Sequence, residues 1–214
     1  MAIAYDTSVD GGLNPSDSTT WQWNHTCTGT DRILFVSFFG DATDYITGVT
    51  YNSVSMTEVG KVASGVDRYN YLYVLHAPAT GSNQVQITAS QGIRMAGSSV
   101  SYTGAEQTST VDNSTTNTGN TVTTLTTSLT PTVNNCWTIL GVRSPSEPIS
   151  STGSTLRESS NGHGSFDSNG AITPAASYSM TVTHISGFPA HVMASFAPVT
   201  PIGGFMTTNP GYWG

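Results

Sequence analysis

Charge is what this chain has least of. Nineteen of its 214 residues are Asp, Glu, Lys or Arg, 9% of the total, against about a quarter in an ordinary soluble domain. General acids and bases, phosphate clamps and metal cages are assembled mostly from ionisable side chains, so catalysis has little to build on. The six basic residues are Lys61, the only lysine, and Arg32, Arg68, Arg94, Arg143 and Arg157, scattered singly. They leave no cationic footprint for a phosphate backbone, which excludes nucleic acid as an expected partner. Attachment to an anionic membrane fails on the same count, and no run approaches the roughly 18 apolar residues of a spanning helix.

Cysteine is scarcer still. Cys27 and Cys136 sit far apart in apparent strands with no C-x-x-C partner, so two small buried hydrophobes are expected in place of a disulfide framework. Met1 to Asp10 lacks both a basic and a continuous apolar stretch, so no secretory signal is read. Release within an assembled particle is one route outside a cell that needs none. Helical periodicity is missing too, since no segment of more than a few residues places apolar side chains at i, i+3 and i+4.

Hydroxyls fill the gap. Ser and Thr supply 62 residues, 34 of them threonine, whose β-branched side chain suits a pleated, half-wet surface. Alternation at period two recurs along the chain. Arg32 to Gly40 is a continuous apolar run of strand length, expected to be central and buried on both faces. Asn52-Ser53 between two alternating runs reads as a tight hairpin. Arg68 to His76, Arg94 to Tyr102, Thr121 to Leu129, Cys136 to Val142, Tyr178 to His184 and His191 to Phe196 are further strands. The pattern predicts an all-β fold, an antiparallel β-sandwich that is jelly-roll-like, with about ten to twelve short strands. It predicts one sandwich over residues 1–197, with long loops near 105–120 and 144–170, then an extended Gly/Pro/aromatic tail over 198–214. No 20 to 50 residue period is visible, which excludes a solenoid or propeller.

Residues that could carry chemistry are few. No Gly-x-Ser-x-Gly elbow occurs, and His163, His184 and His191 fall where loops and hairpins are expected, which gives them surface positions. Of the four glutamates only Glu58 lies in a clear strand, pointing to solvent, so a facing carboxylate pair is not expected. Asp41 and Asp44 could offer two oxygens to calcium from one loop, though turn carboxylates are the expected role and the EF-hand spacing is absent. No cofactor is expected. Trp21 and Trp23 share one face of a strand and are expected in the core. Tyr69, Tyr71 and Tyr73 share a face opposite Leu72 and Val74. With the aliphatic face inward, the tyrosines form an outer stripe on which a sugar ring or a protein could stack. Phe205, Met206, Tyr212 and Trp213 stand on the tail and are candidates for subunit contacts.

The order of phrases between Arg32 and Gln107 resembles a β-sandwich domain common in tailed-bacteriophage structural proteins and bacterial hypothetical proteins. Val49-Thr50-Tyr51 to Met56-Thr57 matches its hairpin, Leu75 through Val85 to Ile87 its strand pair, and Ser101-Tyr102 to Gln107 its ending. Ser177 to Pro198 resembles its last hairpin. The resemblance implies no catalytic residues. It implies a virion or cell-surface module, and the reading taken is a virion structural protein, a capsid decoration or fibre-associated subunit on the virion exterior, with other virion proteins and copies of itself as partners. A carbohydrate-binding or adhesin module recognising a host glycan through the tyrosine stripe is the alternative, and a subunit of an extracellular filament is a third reading.

Overall fold

The computed structural model describes residues 1–65, 67–108, 111–148 and 150–200. The described residues form seventeen β-strands and no helix. The first nine are β1 (Ala4–Leu13), β2 (Ser18–Cys27), β3 (Ile33–Gly40), β4 (Ile46–Tyr51), β5 (Val54–Ser55), β6 (Thr57–Ala63), β7 (Tyr69–His76), β8 (Gly81–Ile93) and β9 (Met95–Thr103). They make two antiparallel sheets, ordered β1-β9-β3-β7-β6 and β2-β8-β4-β5. The chain swaps between the sheets in the manner of a jelly roll. Its tight hairpin is as expected: Tyr51 pairs with Val54, and Asn52 and Ser53 both take positive φ, 49° and 63°, as the twist-matched two-residue turn requires.

The second half repeats the plan. It contains β10 (Asn113–Thr118), β11 (Val122–Leu129), β12 (Trp137–Arg143), β13 (Ser150–Thr152), β14 (Thr155–Ser160), β15 (His163–Asp167), β16 (Tyr178–Gly187) and β17 (Ala190–Phe196). Its sheets run β10-β17-β12-β15-β14 and β11-β16-β13. Replacing β1, β9, β3, β7 and β6 by β10, β17, β12, β15 and β14 converts one inner sheet into the other. The same exchange carries β2-β8-β4 into β11-β16-β13.

Three apolar cores hold four sheets in a stack. The first, with Trp21, Val36, Phe38, Tyr51, Tyr71 and Ile87, fills the space between the first outer and inner sheets. The second joins Ile33, Phe35, Leu72 and Val100 to Ile139, Val192 and Phe196, and so cements the two inner sheets face to face. The third, with Leu140, Phe166, Met180 and Met193, closes the last pair. Across the central interface β1 lies over β14, β9 over β15, β3 over β12, β7 over β17 and β6 over β10. That set maps onto itself when the halves are exchanged, so a pseudo-twofold axis passes through the β3–β12 contact.

The single sandwich expected over 1–197 is thus two jelly rolls fused through their inner sheets, and the strand count exceeds the expected ten to twelve. Strands were hidden in both expected loops. β10 is an edge strand of small polar residues that pairs along β17. The 144–170 stretch holds β13, β14 and β15, and every residue of β15 is buried.

At the pseudo-axis equivalent residues face one another. Gly141 meets Ser37 so closely that a Cβ at Gly141 would stand 2.0 Å from the serine Oγ and 2.9 Å from its Cβ. Gly141→Ala is expected to cost about 1–3 kcal/mol by wedging the inner sheets apart. Thermal melts check this, with Ser37→Gly in the same chain restoring most of the loss. A variant as stable as the wild type would mean that the interface yields freely there.

Candidate functional site

The residues singled out from sequence go to work inside the fold. Tyr71 and Tyr73 are buried, at 1% and 7% exposure, and Tyr69 is half-buried. The expected outer stripe is therefore corrected. β7 lies in an inner sheet with a layer on each side, so its tyrosine face packs under the first outer sheet while Leu72 and Val74 face the second half. Tyr71 stacks on Phe38 with ring centroids 4.9 Å apart. Its hydroxyl donates to Asp44 at 3.0 Å, and that of Tyr73 donates to Glu58 at 3.1 Å. Burial, reinforced by those carboxylates, pushes both phenols above their ordinary range. No glycan platform remains on this face.

Asp41 and Asp44 are each paired with a cation of the chain. Arg68 donates to Asp41, and Lys61 sits 2.6 Å from Asp44. Among the described residues no group of three or more His, Cys, Asp or Glu gathers in metal-binding geometry. Cys27 and Cys136 are buried and unbonded. Burial raises both thiols, Cys136 to about 12, which keeps them protonated and inert. Phe205, Met206, Tyr212 and Trp213 lie outside the described residues.

Histidine gives the largest correction. His163, His184 and His191, expected at the surface, are 0 to 2% exposed, and so is His25. Desolvation depresses all four, His25 and His184 to about 4, His163 and His191 to about 3. They are neutral spacers between layers. His25 bridges Ser99 and Ser101 at 2.8 and 3.0 Å, His163 reaches Ser37 at 3.1 Å across the central interface, and His191 meets Thr127 at 2.9 Å.

The same interface holds the one buried ion pair among the described residues. Arg157 grips Asp167 with two hydrogen bonds, 2.7 and 3.0 Å, and Asp167 is fully buried. Tyr102 of the first half donates to the same carboxylate at 2.9 Å, while the Arg157 guanidinium covers Tyr5 at 4.0 Å from the ring centre. These groups join β1 and β9 to β14 and β15. They lie in the seam between the halves, and the arrangement fastens the sheets.

A matched pair of carboxylates clasps each jelly roll. Asp6 accepts from the Thr28 backbone N–H at 2.9 Å, from the Thr28 hydroxyl, and from Ser101 at 2.8 Å. Asp112 accepts from the Thr132 N–H at 2.9 Å, from the Thr132 hydroxyl, and from Ser195 at 2.6 Å. At Asp112 burial alone would raise the carboxyl, but the donors from Ser195 and Thr132 outweigh it and hold it below the ordinary range.

What the molecule presents outward is hydroxyl and amide. On the first outer sheet Gln22, Gln86 and Thr50 form one row and Thr20 and Thr88 the next. On the last sheet Thr126, Thr181 and Thr152 form a row beside Thr124, Thr183 and Ser150. Thr126 and Thr181 share a hydrogen bond of 2.7 Å, as do Ser128 and Ser179. Neither face carries a charge on the described residues of these strands. A concavity of about 1070 Å³ lies where the N-terminus, the segment joining the halves and the end of β17 meet.

No family model matches the chain, and no curated protein matches it by sequence. Among solved structures, the crystal structure of the major capsid protein P2 from bacteriophage PM2 is similar with a TM-score of 0.33 and 5% identity, over 92% of this chain and 99% of that one. Similarity at that TM-score carries no argument.

Proposed function

We propose that the chain is a non-enzymatic structural subunit of a bacteriophage virion, a capsid decoration or fibre-associated protein acting through contacts with neighbouring subunits on the particle exterior. The observation that carries the reading is the pair of opposite outer faces, tiled with Thr, Ser, Gln and Asn and free of charge on their described strands. Such faces pack against copies without mutual repulsion and interact with little dependence on salt. The interior supports it as well, since its buried histidines, tyrosines and ion pair all serve to fasten layers. The motif resemblance over Arg32 to Gln107 points the same way. Homo-oligomer contacts are assigned to the tail, through Tyr212 and Trp213.

Particles carrying the chain test this. Mass spectrometry of purified virions is expected to find it in many copies, antibody against it to label intact particles, and washing in 1 M salt to leave it in place. Its absence from particles, or its release at moderate salt, overturns the proposal.

A further inference from the structure

The two jelly rolls end differently, and the difference identifies a docking site. In the first half the gap between the β2–β3 turn and the end of β9 is plugged by the chain that follows β9. There the Gly104 N–H donates to the Thr30 carbonyl at 3.3 Å, the Ala105 N–H to that of Asp31 at 2.9 Å, and the Gln107 side chain to that of Arg32 at 3.0 Å. Ala105 is fully buried. In the second half the equivalent gap lies between the β11–β12 turn, Thr132 to Asn135, and the end of β17. The turns correspond closely: Thr28 and Thr132 close the two aspartate clasps, and Asp31 and Asn135 both take positive φ, 50° and 67°. Here the gap is the 1070 Å³ concavity, walled by Ile3, Val111, Val133, Trp137, Phe196 and Val199. Val133 is 45% exposed at its rim.

By the pseudo-twofold relation the chain that follows β17 takes the place of the plug, but Val199, the counterpart of Ala105, donates to the Gly104 carbonyl at 2.9 Å and the gap stays open beside it. Pro198, Val199 and Thr200 already form part of the wall. Residues 201–214 carry no charged side chain and include Ile202, Phe205, Met206, Tyr212 and Trp213. Gly203-Gly204 gives the backbone freedom to reverse. Five residues reach at most about 17 Å, so Phe205 stays within range of the cavity from Thr200. A segment tethered at the wall also has a large concentration advantage over the same segment of another copy.

We propose that residues 201–214 dock on their own chain, with Ile202, Phe205 and Met206 filling this cavity. Tyr212 and Trp213 are left for neighbours. The proposal concerns the isolated protein and is independent of the virion reading.

Two measurements on the purified full chain decide it. In Val133→Cys/Phe205→Cys, mild oxidation is expected to form a disulfide within a monomer, the buried native thiols staying unreactive. A disulfide-linked dimer, or no link, overturns the proposal. By hydrogen exchange, a chain ending at Thr200 is expected to lose protection around Val133 to Trp137 by tenfold or more, and a synthetic 201–214 peptide to restore it. Full-chain Val133→Asp, at an exposed site, is expected to show the same loss. Unchanged exchange in both variants overturns the proposal.

Discussion

Between pH 6 and pH 5 the folded chain is expected to lose about 4–5 kcal/mol of stability. The cause is the set of neutral histidines sealed between the sheets. His25, His163, His184 and His191 titrate at about 3 to 4 in the folded chain because burial disfavours the charged ring. Unfolded, each titrates near 6.5. Below that value the unfolded chain takes up protons that the folded chain refuses. Stability is therefore full above pH 6.5 and declines as pH falls towards the folded values, at about 1.4 kcal/mol per pH unit for each histidine.

The surroundings give no relief. His163 Nδ1, His184 Nε2 and His191 Nε2 have no hydrogen-bond partner among the described residues. Arg143 and His184 oppose charging of the His184–His191 pair, and the nearest help for His25 and His163 comes from Asp6 and Asp10. Against a typical total of about 5–15 kcal/mol, such a slope places acid unfolding well above the pH at which carboxylates alone would cause it. Urea melts at half-unit pH intervals measure the slope, and His191→Gln is expected to remove about a quarter of it. A loss below about 1 kcal/mol between pH 6 and pH 5 would falsify the assignment.

Arg157→Met is expected to cost about 3–5 kcal/mol, the largest effect of any single substitution considered for this chain. The change leaves Asp167, fully buried, without its charged partner. Tyr102 and the Asn169 backbone N–H still donate to the carboxylate at 2.9 and 3.0 Å, so Arg157→Met/Asp167→Asn is expected to recover a substantial part of the loss. The readout is the urea midpoint at constant m-value. Equal stabilities for the single and double variants would show that the unpaired buried carboxylate is not the source of the loss.

What could be read from sequence, and what could not, follows from the layering. β3, β12 and β17 announce themselves because strands covered on both sides need nearly continuous apolar runs. The tyrosine stripe was misassigned because alternation says only that two faces differ. In a two-layer sandwich one of them must meet water, and in an inner sheet of four layers neither does. β15, His-Gly-Ser-Phe-Asp, reads as a loop because its polar side chains are satisfied by partners the local sequence does not announce: Ser37 for His163, Ser98 for Ser165, and Tyr102 and Arg157 for Asp167. The doubled plan gives no 20 to 50 residue period because its repeat is about half the chain and equivalent positions hold different residues, Ser37 against Gly141 and Phe39 against Arg143. The surviving signal was the clasp, Asp6, Thr28 and Ser101 recurring in order as Asp112, Thr132 and Ser195.

The doubled plan also sets a timetable for synthesis. Pairing of β1 with β9 completes the first jelly roll once about residue 105 has left the ribosome. Its inner sheet then displays Ile33, Phe35, Leu72, Val74 and Val100 to solvent until β12 and β17 arrive. At about 5–20 residues per second that wait lasts roughly 5 to 20 s. Crowded polysomes would let such faces find one another first, so the nascent first half is the stage at which this protein most needs a chaperone or slow initiation.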